Sequence, residues 1–248
     1  MAPILRCRGV GLRYRLIEEG SASFKGALLN TVRGRPSREH WALRGFDLEV
    51  GAGEVVGLVG RNGSGKSSLC RLVAGILRPD EGEVSVRGRV SPVLGVGVGF
   101  QDELTGRDNL YLSGAFQGFS RAALRAKLPE IVAFAELEGF LDVPVKRWST
   151  GMRARLGFSL AVHSRGDLLV LDEVLAVGDE GFRARCLQRL RGWAAEGRAL
   201  LMVSHDGALL SELCERLVWL EGGRVAAAGP PAGVMRSYRA ALGSPGSD

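Results

Sequence analysis

The stretch that most constrains this chain is Gly60-Arg61-Asn62-Gly63-Ser64-Gly65-Lys66-Ser67, which spells G-x-x-x-x-G-K-S. A β-rich run, residues 54–59, leads into it. Leu69, Leu72, Val73 and Ile76 follow at helical spacing. Strand, glycine loop and helix together make a phosphate cradle. Glycines let successive backbone N–H groups point at phosphate oxygens, and the helix adds its positive end. Lys66 is expected to reach the β- and γ-phosphates and Ser67 to place its hydroxyl on Mg²⁺. Ser68 joins them among the phosphate-side residues. The loop says that a nucleoside triphosphate is bound; the rest of the chain must say what its energy does.

The fold class follows from the pattern around the loop. Leu168-Leu169-Val170-Leu171 and Ala199-Leu200-Leu201-Met202-Val203 are continuous apolar runs. Such runs mark strands buried on both faces, as in parallel sheets. The expected class is therefore α/β, and together with the glycine loop the chain resembles a phosphate-loop NTPase core of RecA-like type, which implies a mixed sheet. The first strands, residues 4–14 and 41–50, add an antiparallel β subdomain. Between them, residues 21–39 read as a basic, amphipathic insertion, with Phe24, Ala27, Leu28 and Val32 at near-helical spacing. Residues 93–101 read as a strand that delivers Gln101 to the nucleotide. Residues 104–163 then read as helix after helix, an inserted helical subdomain. In it Thr105 caps residues 106–116, and Pro129 interrupts a helical region over 120–139. A helix opens after Ser149 and runs to about His163. Later helices are expected over 180–196, 208–214 and 231–242, with a strand pair at 216–220 and 224–228. Residues 244–248 read as a disordered tail.

Composition closes off several classes. No stretch approaches the ~18–20 apolar residues of a membrane span, and the N-terminus lacks a signal-like apolar run. A cytosolic chain is expected. Cys7, Cys70, Cys186 and Cys214 are scattered, which points to buried thiols rather than a metal or redox motif. The formal net charge of +6 suits phosphate-rich ligands or an anionic membrane surface without requiring nucleic acid.

Ligands of parallel α/β sheets bind at the carboxyl ends of the strands. Three strands here end in chemistry-bearing residues: the glycine loop after Val59, Asp172-Glu173 after Leu171, and His205 after Val203. Asp172 is expected to hold Mg²⁺, and Glu173 to polarise the attacking water. His205, between Ser204 and Asp206, is expected at the γ-phosphate.

These motifs, in this order, resemble the nucleotide-binding domain of ATP-binding-cassette transporters over nearly the whole chain, residues 1–243. The resemblance rests on the glycine loop, Gln101, Ser149-Thr150-Gly151, residues 168–173, Asp179 and His205. It implies a head-to-tail dimer around two ATP molecules, in which Ser149, Thr150 and Gly151 of one copy meet the γ-phosphate held by the other. It implies Gln101 as a further Mg²⁺-side and catalytic group beside Glu173, His205 and Lys66, and Asp179 among the ATP-contacting residues. Adenine needs an aromatic face, and Tyr14 or Trp41 would supply it. Departures from the family pattern are informative, namely Trp148-Ser149-Thr150-Gly151-Met152 with Arg153 and Asp172-Glu173-Val174 with the following Leu175-Ala176-Val177-Gly178-Asp179, and they go together with the run Glu103-Leu104-Thr105-Gly106-Arg107-Asp108-Asn109. They resemble the ATPase subunits of O-antigen, capsule and teichoic-acid exporters, in a short form without a C-terminal carbohydrate-binding domain. That branch implies a peripheral subunit on the cytoplasmic face of the inner membrane. Its partners would be two copies of a transmembrane permease, which makes most of the polysaccharide contacts. Another cargo, or a non-transport ATPase, remains the alternative at this point.

Overall fold

The computed structural model describes residues 2–17, 37–94, 99–173 and 179–243. The insertion expected at 21–39 lies outside the described residues up to 36, and so does the tail. Residues 37–39 belong instead to a strand. Strands β1 (Leu5–Ile17) and β2 (Ser37–Val50) pair antiparallel, with Tyr14 opposite His40 and Arg13 opposite Trp41. Strand β3 (Val55–Val59) then enters the core and hands over to helix α1 (Lys66–Val73). Strand β4 (Glu81–Val86) returns to the free edge of β1, which gives a three-stranded sheet in the order β2-β1-β4.

The larger sheet adds β5 (Val90–Leu94), β6 (Leu168–Asp172), β7 (Ala199–Val203), β8 (Arg216–Glu221) and β9 (Arg224–Gly229). Its order is β5-β6-β7-β3-β8-β9, parallel throughout except for the β8–β9 hairpin. Every residue of β3 and β7 is buried. The two-residue period of a strand explains how. Val56, Leu58, Leu168, Val170 and Leu201 feed the core under the antiparallel sheet. Val55, Val59, Leu169, Leu171 and Met202 feed a second core on the opposite face, with Phe158, Phe182 and Trp193.

A third core lies among helices α2 (Gly106–Phe116), α3 (Arg121–Ala135) and α4 (Thr150–Val162), built on Leu110, Leu124, Ile131, Trp148 and Leu156. Thr105 caps α2 by accepting the Asp108 N–H. Pro129 does not interrupt α3, contrary to the sequence reading. A mid-helix proline costs about 3 kcal/mol. Burial of Leu124, Ile131, Val132 and Ala135 along the same helix offsets that cost. Of the strand expected over 93–101, the described part runs to Leu94; residues 95–98 lie outside the described residues, and Phe100 packs against the third core.

Helix α5 (Glu180–Ala195) covers the second core, and α6 (Gly207–Leu213) and α7 (Pro231–Gly243) complete that face. All four cysteines are free and buried. Among the described residues, no helix is long and apolar enough to cross a membrane.

Candidate functional site

The glycine loop is shaped by what surrounds it. Gly65 has φ 105°, and a Cβ there would lie 2.3 Å from the Ala42 carbonyl oxygen. At Gly60, φ 154°, a Cβ would lie 2.3 Å from the Leu220 carbonyl oxygen. Only glycine meets both demands, backbone angle and close approach. The hairpin between β8 and β9 braces the loop: the Gly223 N–H donates to the Ser64 carbonyl at 3.2 Å, and the Arg44 N–H donates to the Gly223 carbonyl at 3.0 Å.

Lys66 is 5% exposed, and its ammonium donates to the carbonyls of Gly60 at 2.7 Å and Arg61 at 2.9 Å. Burial lowers its pKa from the ordinary lysine value, while Glu173 and Asp172 pull it back up. The loop therefore presents a lysine already desolvated and aimed along the cradle. The Ser64 hydroxyl beside it is buried without a partner.

At the end of β6, the Oδ1 of Asp172 is buried and has no hydrogen-bond partner. Burial raises its pKa above the ordinary carboxylate value; the Ser67 hydroxyl counters the shift and the neighbouring Glu173 charge adds to it. An orphaned carboxylate oxygen next to a serine hydroxyl is a hard, all-oxygen donor pair. That chemistry fits Mg²⁺, which takes one or two protein oxygens and completes its shell with water and phosphate. Among the described residues there is no cluster of three or more His, Cys, Asp or Glu that could hold a metal ion.

Glu173 follows in a left-handed backbone conformation, φ 57°, rare for a residue with a side chain. Its N–H donates to the Val203 carbonyl at 3.0 Å, which ties the ends of β6 and β7 together. The turn aims the carboxylate at the cleft. There its Oε1 meets His205 Nε2 at 2.7 Å. A cleft of about 340 Å³ is lined by Tyr14, His40, Asn62, Lys66, Ser68 and Glu173, among others. Lys66, Asp172, Glu173 and His205 thus converge on one rim.

The strand pairing separates the two aromatic candidates. Tyr14 lines the cleft, and its hydroxyl lies 3.2 Å from Ser68 Oγ. Trp41 follows His40, so it faces the other side of the pleat, between the guanidinium groups of Arg13 and Arg44 at 5.6 and 5.4 Å. Trp41 does not line the cleft. His40 does, and the sequence reading missed it; the only signal is its register opposite Tyr14, which needs the strand pairing to be known.

Gln101 is not brought into the cleft. Its backbone N–H donates to Asn109 Oδ1 at 2.7 Å, and its carbonyl accepts from Asn109 Nδ2 at 3.0 Å. Asn109 is fully buried, so this exchange anchors the turn to α2 and leaves the Gln101 side chain exposed. Ser149 caps α4 by accepting the Met152 N–H at 3.2 Å. Ser149 and Thr150 are exposed, so the positive end of α4 faces outward, away from the glycine loop's own cleft. Asp179 caps α5 by accepting the Phe182 N–H at 2.8 Å, and that bond together with Arg155 holds its carboxyl below the ordinary value.

Comparison with known proteins gives this geometry a context. The ABC transporter family model matches residues 43–176. An O-antigen export system ATP-binding protein of Klebsiella pneumoniae is 36% identical over 245 residues, covering 98% of this chain and 100% of its own length. A protein of the same description from Myxococcus xanthus is 40% identical over 93% of this chain, which spans only 54% of that relative's length. A teichoic acids export ATP-binding protein of Enterococcus faecalis is 40% identical over 82% of the chain and 45% of its own length. Among solved structures, a dimeric ATP-binding cassette in a post-hydrolysis state with ADP and Pi superposes with a TM-score of 0.75 at 21% identity, covering 92% of this chain and 98% of that one. An ATP-binding subunit of an ABC transporter superposes with a TM-score of 0.76 at 23% identity, covering 95% of this chain and 93% of that one.

Proposed function

The chain belongs to the ABC transporter family, and we propose that it is the ATP-hydrolysing motor of a polysaccharide exporter. In this reading it drives a lipid-linked polymer of O-antigen, capsule or teichoic-acid type across the cytoplasmic membrane through a separate membrane-spanning subunit. The observation that carries the ATPase assignment is the convergence of Lys66, Asp172, Glu173 and His205 on one rim. The cargo assignment draws support from the descriptions of the relatives, above all the full-length match from Klebsiella pneumoniae.

ATP enters the cleft with its adenine against Tyr14 and its phosphates on the N–H groups of Gly60 to Ser68. Lys66 exchanges the carbonyls of Gly60 and Arg61 for phosphate oxygens. Ser67 and Asp172 would hold Mg²⁺, which neutralises charge on the phosphates. Glu173 accepts a proton from the attacking water, whose oxygen bonds to the γ-phosphorus as the bond to the β-phosphate bridging oxygen breaks. ADP and phosphate result. His205, whose Nε2 lies 2.7 Å from Glu173 Oε1, contacts the γ-phosphate and keeps that carboxylate in place. A second copy of the chain brings Ser149, Thr150 and Gly151 to the same γ-phosphate, and Asp179 completes the contact set. ATP thus closes two copies together and hydrolysis releases them. Gln101, poised outside the cleft on the turn to α2, moves with the helical subdomain and passes this motion to the permease. The subunit works at the cytoplasmic face of the membrane as a peripheral protein.

The test is the location of surface polysaccharide in cells whose only copy carries Glu173→Gln. Polymer retained inside with a bare surface is the expected result. A normal surface, with the variant shown to be ATPase-dead, removes polysaccharide as the cargo.

A further inference from the structure

Arg155 lies on the second turn of α4, the helix that Ser149 caps, and its side chain is only 16% exposed. Its guanidinium forks between two carboxylates on two other elements. One arm reaches Glu136, which ends α3 with a left-handed backbone, φ 58°. The other donates to Asp179 Oδ2 at 2.5 Å. The plane of the group lies over the Phe182 ring, 4.8 Å from its centre. Arg185 closes the far side, donating to Glu136 Oε1 at 2.5 Å. The remaining oxygen of Asp179 is occupied by the Phe182 N–H. Each oxygen of the Asp179 carboxylate thus accepts one hydrogen bond from within the chain, Oδ2 from Arg155 and Oδ1 from the Phe182 N–H.

We propose that Arg155 is a positioning residue that sets Asp179 and the exposed end of α4 as one unit for the second copy of the chain. This rests on the proposed ATP-dependent pairing of two copies. A planar fork suits the task because it fixes two carboxylates in one plane. A lysine in the same place satisfies one of them. The fork joins the helix whose Ser149 end would meet the partner's γ-phosphate to the residue that opens α5. If either shifts alone, the second copy meets two surfaces out of register. Arg155 touches neither nucleotide nor glycine loop, so ATP binding to a single copy is independent of it.

The experiment uses the full chain carrying Glu173→Gln, with ATP and Mg²⁺. Fluorescent-nucleotide titration reads binding to the monomer, and sedimentation reads the ATP concentration at which dimers form. Adding Arg155→Met is expected to leave monomer affinity within about twofold and to raise the dimerisation midpoint about tenfold, the worth of one charge-assisted hydrogen bond. Arg155→Lys is expected to recover part of the loss, and Glu136→Gln to produce a smaller loss, because it frees one arm of the fork. A lowered melting temperature with an unchanged dimerisation midpoint overturns the proposal and leaves Arg155 a staple of the helices. Should Arg155→Met fail to fold, Glu136→Gln decides alone, and an unchanged midpoint overturns the proposal. Failure of the Glu173→Gln parent itself to dimerise with ATP strikes the functional reading first, and this inference with it.

Discussion

Replacing Tyr14 with alanine tests how the cleft holds a base rather than a phosphate. The Tyr14 ring is half-buried at the cleft wall, and its hydroxyl is anchored 3.2 Å from Ser68 Oγ. A ring already held this way would stack on a base at little entropic cost. A lost aromatic contact of this type costs about 0.5–1.5 kcal/mol. That converts to about 2- to 13-fold weaker ATP binding, since 1.4 kcal/mol is tenfold. In the proposed mode of binding, the phosphates go to Lys66 and the loop N–H groups, which Tyr14 reaches only through Ser68. Inorganic tripolyphosphate should therefore bind Tyr14→Ala and the parent equally. Tyr14→Phe keeps the ring and should keep most of the ATP affinity. Trp41→Ala should leave both ligands unaffected, because Trp41 lies between Arg13 and Arg44 on the other side of the pleat. Calorimetric titration of the four proteins with both ligands checks this. The reasoning is refuted if Trp41→Ala weakens ATP while Tyr14→Ala does not, or if Tyr14→Ala weakens tripolyphosphate as much as ATP.

Two further outcomes follow from the geometry. Because burial raises the Asp172 pKa in the folded chain, the native state binds that proton more tightly than the unfolded one. Stability from this group is therefore present in acid and lost as pH rises through the folded value. Asp172→Asn should melt higher than the parent at neutral pH without nucleotide, with the gap closing below pH 3.8, and should lose Mg²⁺-dependent ATPase activity; an equal or lower melting temperature at neutral pH contradicts it. Ser149→Ala removes the cap on α4, worth about 1 kcal/mol, and should lower the melting temperature by about 2–4 °C in a chain of this size, which a thermal scan reads directly.

Much of this architecture could be read before any coordinates, and the reasons are local. Gly60 to Ser67 announces itself because the loop needs glycine where other backbones press in, at Ala42 and Leu220. Ser149 and Thr105 marked helix starts because capping is written in the residue that caps. The parallel strands were legible because burial on both faces leaves no polar residue to interrupt them. What stayed hidden depends on partners far away in sequence. Pro129 read as a break because its cost is local, whereas the burial that outweighs it comes from α2 and α4. Gln101 read as the end of a strand, but Asn109 holds its backbone to the next helix. Tyr14 and Trp41 could be separated only once β1 and β2 were paired, and the same pairing brought His40 into view. Arg155 carried no signal at all, since one arginine among many gives no hint that two carboxylates converge on it.

The four interior thiols have a practical meaning for experiments on this chain. Cys7, Cys186 and Cys214 are pushed up to about 12 by burial, and Cys70 is shifted the same way inside the core. Maleimides and spin labels react with thiolate at the surface, so at neutral pH the native chain is nearly silent to them. A cysteine introduced at an exposed position such as Glu138 or Gln188 would be the only site to take a label quickly. Distance measurements between copies, with and without ATP, can therefore start from the natural sequence, with no native cysteine removed.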